Sequence, residues 1–144
     1  MQIDETDRAL IALLAENARL PVADLARQLG IARTTVQARI ERLQAKGILA
    51  GFTIRRGAAL KAMLRATVLV SVEPRSGPAV LARLKAMPVV EQVHTTSGRV
   101  DMIVTLSAES TEALDVTLDK IGDVQGVKSS ESLIHLSTKV DRAG

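Results

Sequence analysis

Residues 22–51, VADLARQLGIARTTVQARIERLQAKGILAG, constrain this chain more than any other stretch. Val22, Leu25, Ala26 and Leu29 recur at the i, i+3, i+4, i+7 spacing of one helical face. Gly30 ends that helix, because the residue past a helix C-terminus commonly takes the left-handed conformation that glycine adopts without steric cost. Val36, Ile40 and Leu43 make the buried stripe of the next helix and leave Thr34, Gln37, Ala38 and Arg42 pointing elsewhere. A helix anchored by a partner and presenting small polar residues and arginines suits the major groove of double-stranded DNA. The spacing therefore predicts a DNA-binding helix-turn-helix, with Arg33, Thr34, Thr35, Gln37, Ala38, Arg39 and Arg42 as the contact residues. Gln37 suits a bidentate pair with adenine, and Arg42 or Arg33 suits phosphate. Arg39 lies nearer the edge of the stripe, where an intramolecular ion pair competes with a phosphate contact.

Charge supports this assignment locally. Residues 27–56 hold seven Lys/Arg and one acidic residue, Glu41, whereas residues 61–144 carry ten of each sign. The whole-chain net charge of +3 thus sits around the second helix of the motif and the segment after it. Arg55 and Arg56 slightly favour a phosphate-gripping wing over a solubilised linker. One Phe with no Trp or Tyr argues against recognition of RNA or single strands by base stacking. The absence of cysteine excludes disulfides and thiolate metal sites. His94 and His135 read as ordinary sheet histidines, so no metal and no cofactor is expected. His94, Ser97 and Asp101 contain the residue types of a hydrolytic triad, yet nothing signals a strained nucleophile turn, and no catalytic residue is expected. The acidic start MQIDETD and the lack of a long apolar run predict a soluble cytoplasmic protein with no membrane partner.

Periodicity divides the chain. Asp4 is placed to cap a first helix with Leu10, Ile11 and Leu14 facing inward, and Asn17-Ala18-Arg19 ends it. Pro21 suits the first turn of the second helix. Ile48, Ala50, Phe52 and Ile54 alternate as a half-buried strand would, and Ala58 to Met63 reads as a connector. From Leu64 onward the order is strand (66–72), helix (from Ser76), strand (89–96), strand (100–107), helix (capped by Ser110) and a long strand (127–139). Such an order commonly builds an antiparallel sheet with both helices on one face, the ferredoxin-like arrangement. The other sheet face is expected to hold many apolar residues and to need a second copy as cover. The chain is read as α+β. A winged helix-turn-helix spans 1–56, a linker 57–63, and a ferredoxin-like βαββαβ domain for assembly 64–144. A small dimeric ferredoxin-like enzyme with a helical appendage is the alternative.

Ile3-Asp4-Glu5-Thr6-Asp7 with Leu10-Ile11, the close Asn17-Ala18-Arg19, and Leu25-Ala26, Leu29-Gly30-Ile31, Val36, Arg39-Ile40, Leu43 and Gly47-Ile48 occur here in one order. Gly98-Arg99-Val100-Asp101 and Gly126-Val127 with Ser130 and Ser132 continue it. This ordered set resembles the Lrp/AsnC, or feast/famine, family of regulators. The resemblance implies homodimers, often assembled into octamers, that bind amino acids at dimer–dimer interfaces. It implies an effector site at Gly98, Arg99, Val100, Asp101 and Ser130. Ala32 stands where the family commonly has Ser, Leu20-Pro21 replaces a Ser/Thr cap, and Arg99-Val100 replace acidic and aromatic residues. An arginine beside Asp101 could pair with it, or together they could hold a zwitterionic amino acid.

Overall fold

The computed structural model describes residues 2–57, 59, 60 and 63–142. The chain divides into two compact units, Met1–Arg55 and Arg56–Gly144.

Three helices build the first unit: α1 (Glu5–Glu16), α2 (Val22–Leu29) and α3 (Arg33–Ala45). Asp4 caps α1 in a reciprocal capping box with Asp7, whose carboxylate returns to the Asp4 N–H. Pro21 is the N-cap of α2, one position before the first turn expected for it. Gly30 ends α2 in the left-handed region at φ 67°, and the next N–H, of Ile31, donates to the Ala26 carbonyl. Leu10, Leu14, Leu25, Ala26, Val36 and Leu43 make the core, with Ile40 packed partly buried at its edge. Each fully buried aliphatic side chain contributes about 1.5–3 kcal/mol, which is what holds three short helices together.

Residues 46–57 form no strand, so the expected strand at 48–54 and its wing are not formed. The N–H groups of Ile48 and Leu49 both turn back to the Leu43 carbonyl, and Leu49 packs on the core. Phe52 and Ile54 stay 49% and 76% exposed. Alternation alone does not make a strand, because the ladder needs a neighbouring strand and this segment has none among the described residues. Ala58, Lys61 and Ala62 of the expected linker lie outside the described residues.

The second unit runs β1 (Leu64–Val72), α4 (Gly77–Lys85), β2 (Val90–Thr95), β3 (Met102–Ala108), α5 (Thr111–Gly122) and β4 (Val127–Ile134). Its sheet is antiparallel throughout, in the order β2-β3-β1-β4. Ala66, Val68 and Val70 pair with Leu106, Val104 and Met102, and this face is buried with Val80 and Leu84 of α4 and Leu114 and Ile121 of α5. Ser110 caps α5 through the Ala113 N–H. The opposite face is more mixed than expected: Leu69, Ile103 and Leu133 lie among Thr67, Thr105, Ser71, Ser107, Gln92 and His94. The last strand stops at Ile134, not Lys139. Its partner β1 begins at Leu64, so after the His135 N–H bonds the Arg65 carbonyl no strand remains to pair with, and Leu136 is 95% exposed.

Candidate nucleic-acid interface

On α3 the core turns in Val36 and Leu43, both fully buried, and leaves Arg33, Thr34, Thr35, Gln37 and Ala38 exposed on the first two turns. No side chain caps this helix at Ala32, so its first N–H groups point outward unshared by a cap. Arg33 makes no ion pair among the described residues. Gln37 makes one long contact within the helix, Nε2 to Glu41 Oε1 at 3.4 Å. A row of free hydrogen-bonding side chains beside an open helix N-terminus is able to meet base edges and phosphate oxygens.

Arg39 and Arg42 are committed differently. The Arg39 Nη1 donates to both Asp4 oxygens at 2.9 and 2.8 Å and to Asp7 Oδ1 at 2.9 Å. Arg42 Nη2 donates to Asp7 Oδ2 at 2.8 Å. For Arg39, the ion pair is thus the contact formed within the chain. The Arg42 side chain, 48% exposed, has one end held inward and the remainder in solvent. In the sequence, Asp4 and Asp7 read only as acids of the helix start. The signal for a further role is that Asp7, Leu10 and Leu14 share one stripe of α1, which puts a carboxylate on the core face, where it needs a cation. Arg55, a candidate for the wing, instead donates to the Glu16 carbonyl at the C-terminus of α1.

The Asp4 carboxyl is held below its ordinary range by the Asp7 N–H first and by the Arg39 guanidinium second. Arg39 is pushed further towards its charged form by its hydrogen bonds to Asp4 and then Asp7. Because the folded-state value of Asp4 is depressed, its contribution to stability is fully present above the unfolded value near 3.8. It is lost as pH falls through the lower folded value. Thermal melts of the wild type against Asp4→Asn should therefore differ at pH 6 and converge as pH drops from about 4 towards 2. A difference that persists at pH 2 would remove ionic pairing as its cause.

In the second unit, Gly98 turns the β2–β3 connection at φ 108°, and the Thr96 hydroxyl donates to the Val100 carbonyl at 2.8 Å. Asp101 is woven into the sheet end. Its N–H donates to the Val70 carbonyl, and its Oδ2 accepts the Val72 N–H at 2.9 Å. The β1–β4 register shifts between Ser71 and Val72, so a side chain takes over there from a strand partner. Arg99 does not pair with Asp101; its Nη1 lies 3.4 Å from Glu131 Oε2 across the surface. Ser130 pairs with Val70 and stands on the helix-covered side near Gly122, whereas Glu131 pairs with Leu69 on the open side. The structure keeps Gly98, Val100 and Asp101 together at one rim but does not bring Ser130 and the Arg99 partner onto one face. Gly126, at φ 101°, closes the neighbouring turn, where a Cβ would stand 2.7 Å from that of Ser76.

A helix-turn-helix with an exposed polar second helix, joined to a two-layer βαββαβ unit with a turn-built rim, defines a DNA-binding regulator with a separate sensing domain. A model of the AsnC-type helix-turn-helix domain matches residues 3–44, and one of the Lrp/AsnC ligand binding domain matches residues 65–144. The chain belongs to the Lrp/AsnC family of helix-turn-helix transcriptional regulators. It is 33% identical to the HTH-type transcriptional regulator LysM of Saccharolobus solfataricus, over 94% of this chain and 95% of that one. It is 31% identical to the regulator FL11 of Pyrococcus horikoshii, over 94% and 91%. Among solved structures it matches AsnC of E. coli with a TM-score of 0.89 at 27% identity, covering 98% of this chain and 97% of that one. Among the described residues, no helix is long and apolar enough to cross a membrane.

Proposed function

We propose that this protein is a cytoplasmic, non-enzymatic regulator that reads pseudo-palindromic double-stranded DNA as a dimer. Its α3 enters the major groove with Arg33, Thr34, Thr35, Gln37 and Ala38 leading. An amino acid held at the rim of Gly98, Arg99, Val100 and Asp101 shifts its DNA affinity. The observation that carries the DNA reading is the split of α3 into a buried Val36–Leu43 side and an exposed, uncommitted Arg33–Ala38 side. Base edges require free donors and acceptors on a rigid support, and that side offers them. Arg42 serves a phosphate with the part of its guanidinium that Asp7 leaves in solvent.

For the effector, Asp101 uses one carboxylate oxygen on Val72 and has a second oxygen for an ammonium group, while Arg99, loosely held at 3.4 Å, can exchange Glu131 for a ligand carboxylate. Opposite charges on one short loop suit a zwitterion. The open sheet face with Leu69, Ile103 and Leu133 supports pairing with a second copy, and further pairing of dimers gives the octamer. A ligand acts on DNA only through a preference for one assembly state, so a rim between dimers is a suitable place for it.

The test of the DNA reading uses a duplex selected by the full-length protein from a random pool. Gln37→Ala should relax discrimination at one position by about 1–3 kcal/mol. Arg33→Ala should weaken binding to all sequences and flatten the salt slope by about one phosphate contact. Wild-type behaviour of both variants would refute the docking of α3.

A further inference from the structure

Asp7 is fully buried, and among the described residues it is the only buried charged side chain in the molecule. Its carboxylate receives three donors: the Asp4 N–H at 3.2 Å, Arg39 Nη1 at 2.9 Å and Arg42 Nη2 at 2.8 Å. Both arginines belong to α3 and stand one turn apart on it, so their heads converge on one carboxylate. Arg39 also spans the two oxygens of Asp4, which the capping box fixes to the first turn of α1.

This geometry does something that the apolar core cannot. Burial of Val36 and Leu43 is nondirectional and sets the rotation of α3 only to within the width of its apolar stripe. The stripe is also short, since Ile40 between them is only partly buried. Charge-assisted hydrogen bonds are directional, and two of them one turn apart fix both the rotation and the axial position of the helix. Gln37 and Ala38 lie immediately before Arg39, so their aim follows that anchor. The same carboxylates also neutralise two of the cations of α3. Unpaired cations would bind phosphate regardless of sequence, through counterion release.

We propose that Asp7, seconded by Asp4, is a positioning residue for DNA discrimination: it aims the reading face of α3 and withholds Arg39, and the Nη2 end of Arg42, from indiscriminate phosphate binding. The proposal rests on the reading of α3 as the DNA-contacting helix and adds to it a residue that touches no DNA. It makes a prediction that a plain stabilising role does not. Loss of the Asp7 charge moves operator affinity and nonspecific affinity in opposite directions.

The experiment compares full-length wild type with Asp7→Asn, which keeps the shape and removes the charge. The probes are a duplex selected by the wild type from a random pool and a scrambled duplex of the same composition, each titrated over a range of salt. Binding to the selected duplex should fall about tenfold or more, while binding to the scrambled duplex rises and its salt slope steepens by about 0.9 per arginine released. Parallel loss on both duplexes, or an unchanged ratio, would overturn the proposal and leave Asp7 a stabilising residue only. Should Asp7→Asn lose its helical circular dichroism, Asp4→Asn, whose side chain is 55% exposed, decides the matter: it should lower the ratio in the same direction, and an unchanged ratio overturns the proposal. Failure of the wild type to enrich any sequence would instead overturn the DNA reading itself, and the positioning role with it.

Discussion

Leu43→Ala should unfold the N-terminal unit and abolish DNA binding while leaving the C-terminal sheet intact. Leu43 is fully buried near the end of α3, and its carbonyl also holds the Ile48 and Leu49 N–H groups as the chain leaves the helix. Truncation of a leucine in such a site costs about 2–5 kcal/mol, the transfer loss plus the cavity left behind. A unit of roughly 55 residues has only about 3–8 kcal/mol in total, so most of its stability goes. The two units have separate cores, and no residue of one core cluster belongs to the other. Hydrogen exchange on the full-length variant should show fast exchange across α1–α3 and wild-type protection of β1 and β3. Retained protection in α3 would show that the core places less weight on Leu43 than its burial implies.

A second large effect is expected on the open face of the sheet. Leu69→Arg should convert the protein to a monomer at micromolar concentration. Leu69 sits on the central strand β1, flanked across the ladder by Ile103 on one side and Glu131 on the other. Within one protomer the new guanidinium has Glu131 beside it and solvent above, so the fold tolerates it. Against a second copy it would be desolvated, at a cost of several kcal/mol. A loss of about 3 kcal/mol weakens association by roughly two orders of magnitude, which sedimentation velocity resolves. A variant that sediments as the wild type does would place the dimer contact elsewhere. The exposed apolar run Leu133, Ile134, Leu136 and Val140 would then be the next surface to alter.

Local chemistry made the helical half legible. Apolar spacing located α1, α2 and α3, and the glycine at 30 announced the left-handed residue that the structure contains at φ 67°. The βαββαβ order was readable for the same reason, since strand and helix periods differ. Misreadings arose wherever the outcome depended on a distant partner. Ile48 to Ile54 alternate like a strand but have no neighbour to pair with among the described residues. Residues 135–139 are as suitable for a strand as those before them, but β1 has already ended its side of the ladder. The link from Asp7 to Arg39 and Arg42 spans 32 and 35 positions, and only the place of Asp7 on the Leu10–Leu14 stripe hinted at it. At the rim, the sequence left Arg99 either to pair with Asp101 or to hold a ligand carboxylate. The β1–β4 irregularity at Ser71 and Val72 instead exposes a backbone N–H that Asp101 takes, and Arg99 is left to Glu131.

Regulation as proposed requires a DNA-reading helix coupled to an amino-acid site at the Gly98–Asp101 rim. The most direct measurement is the affinity of the full-length protein for its selected duplex, titrated with each common amino acid in turn and repeated with Asp101→Ala. At least one amino acid should change that affinity by about 5–150-fold, the usual range of allosteric coupling, and the change should vanish in the variant. An operator affinity that no amino acid alters, or a response that survives loss of Asp101, would contradict the account.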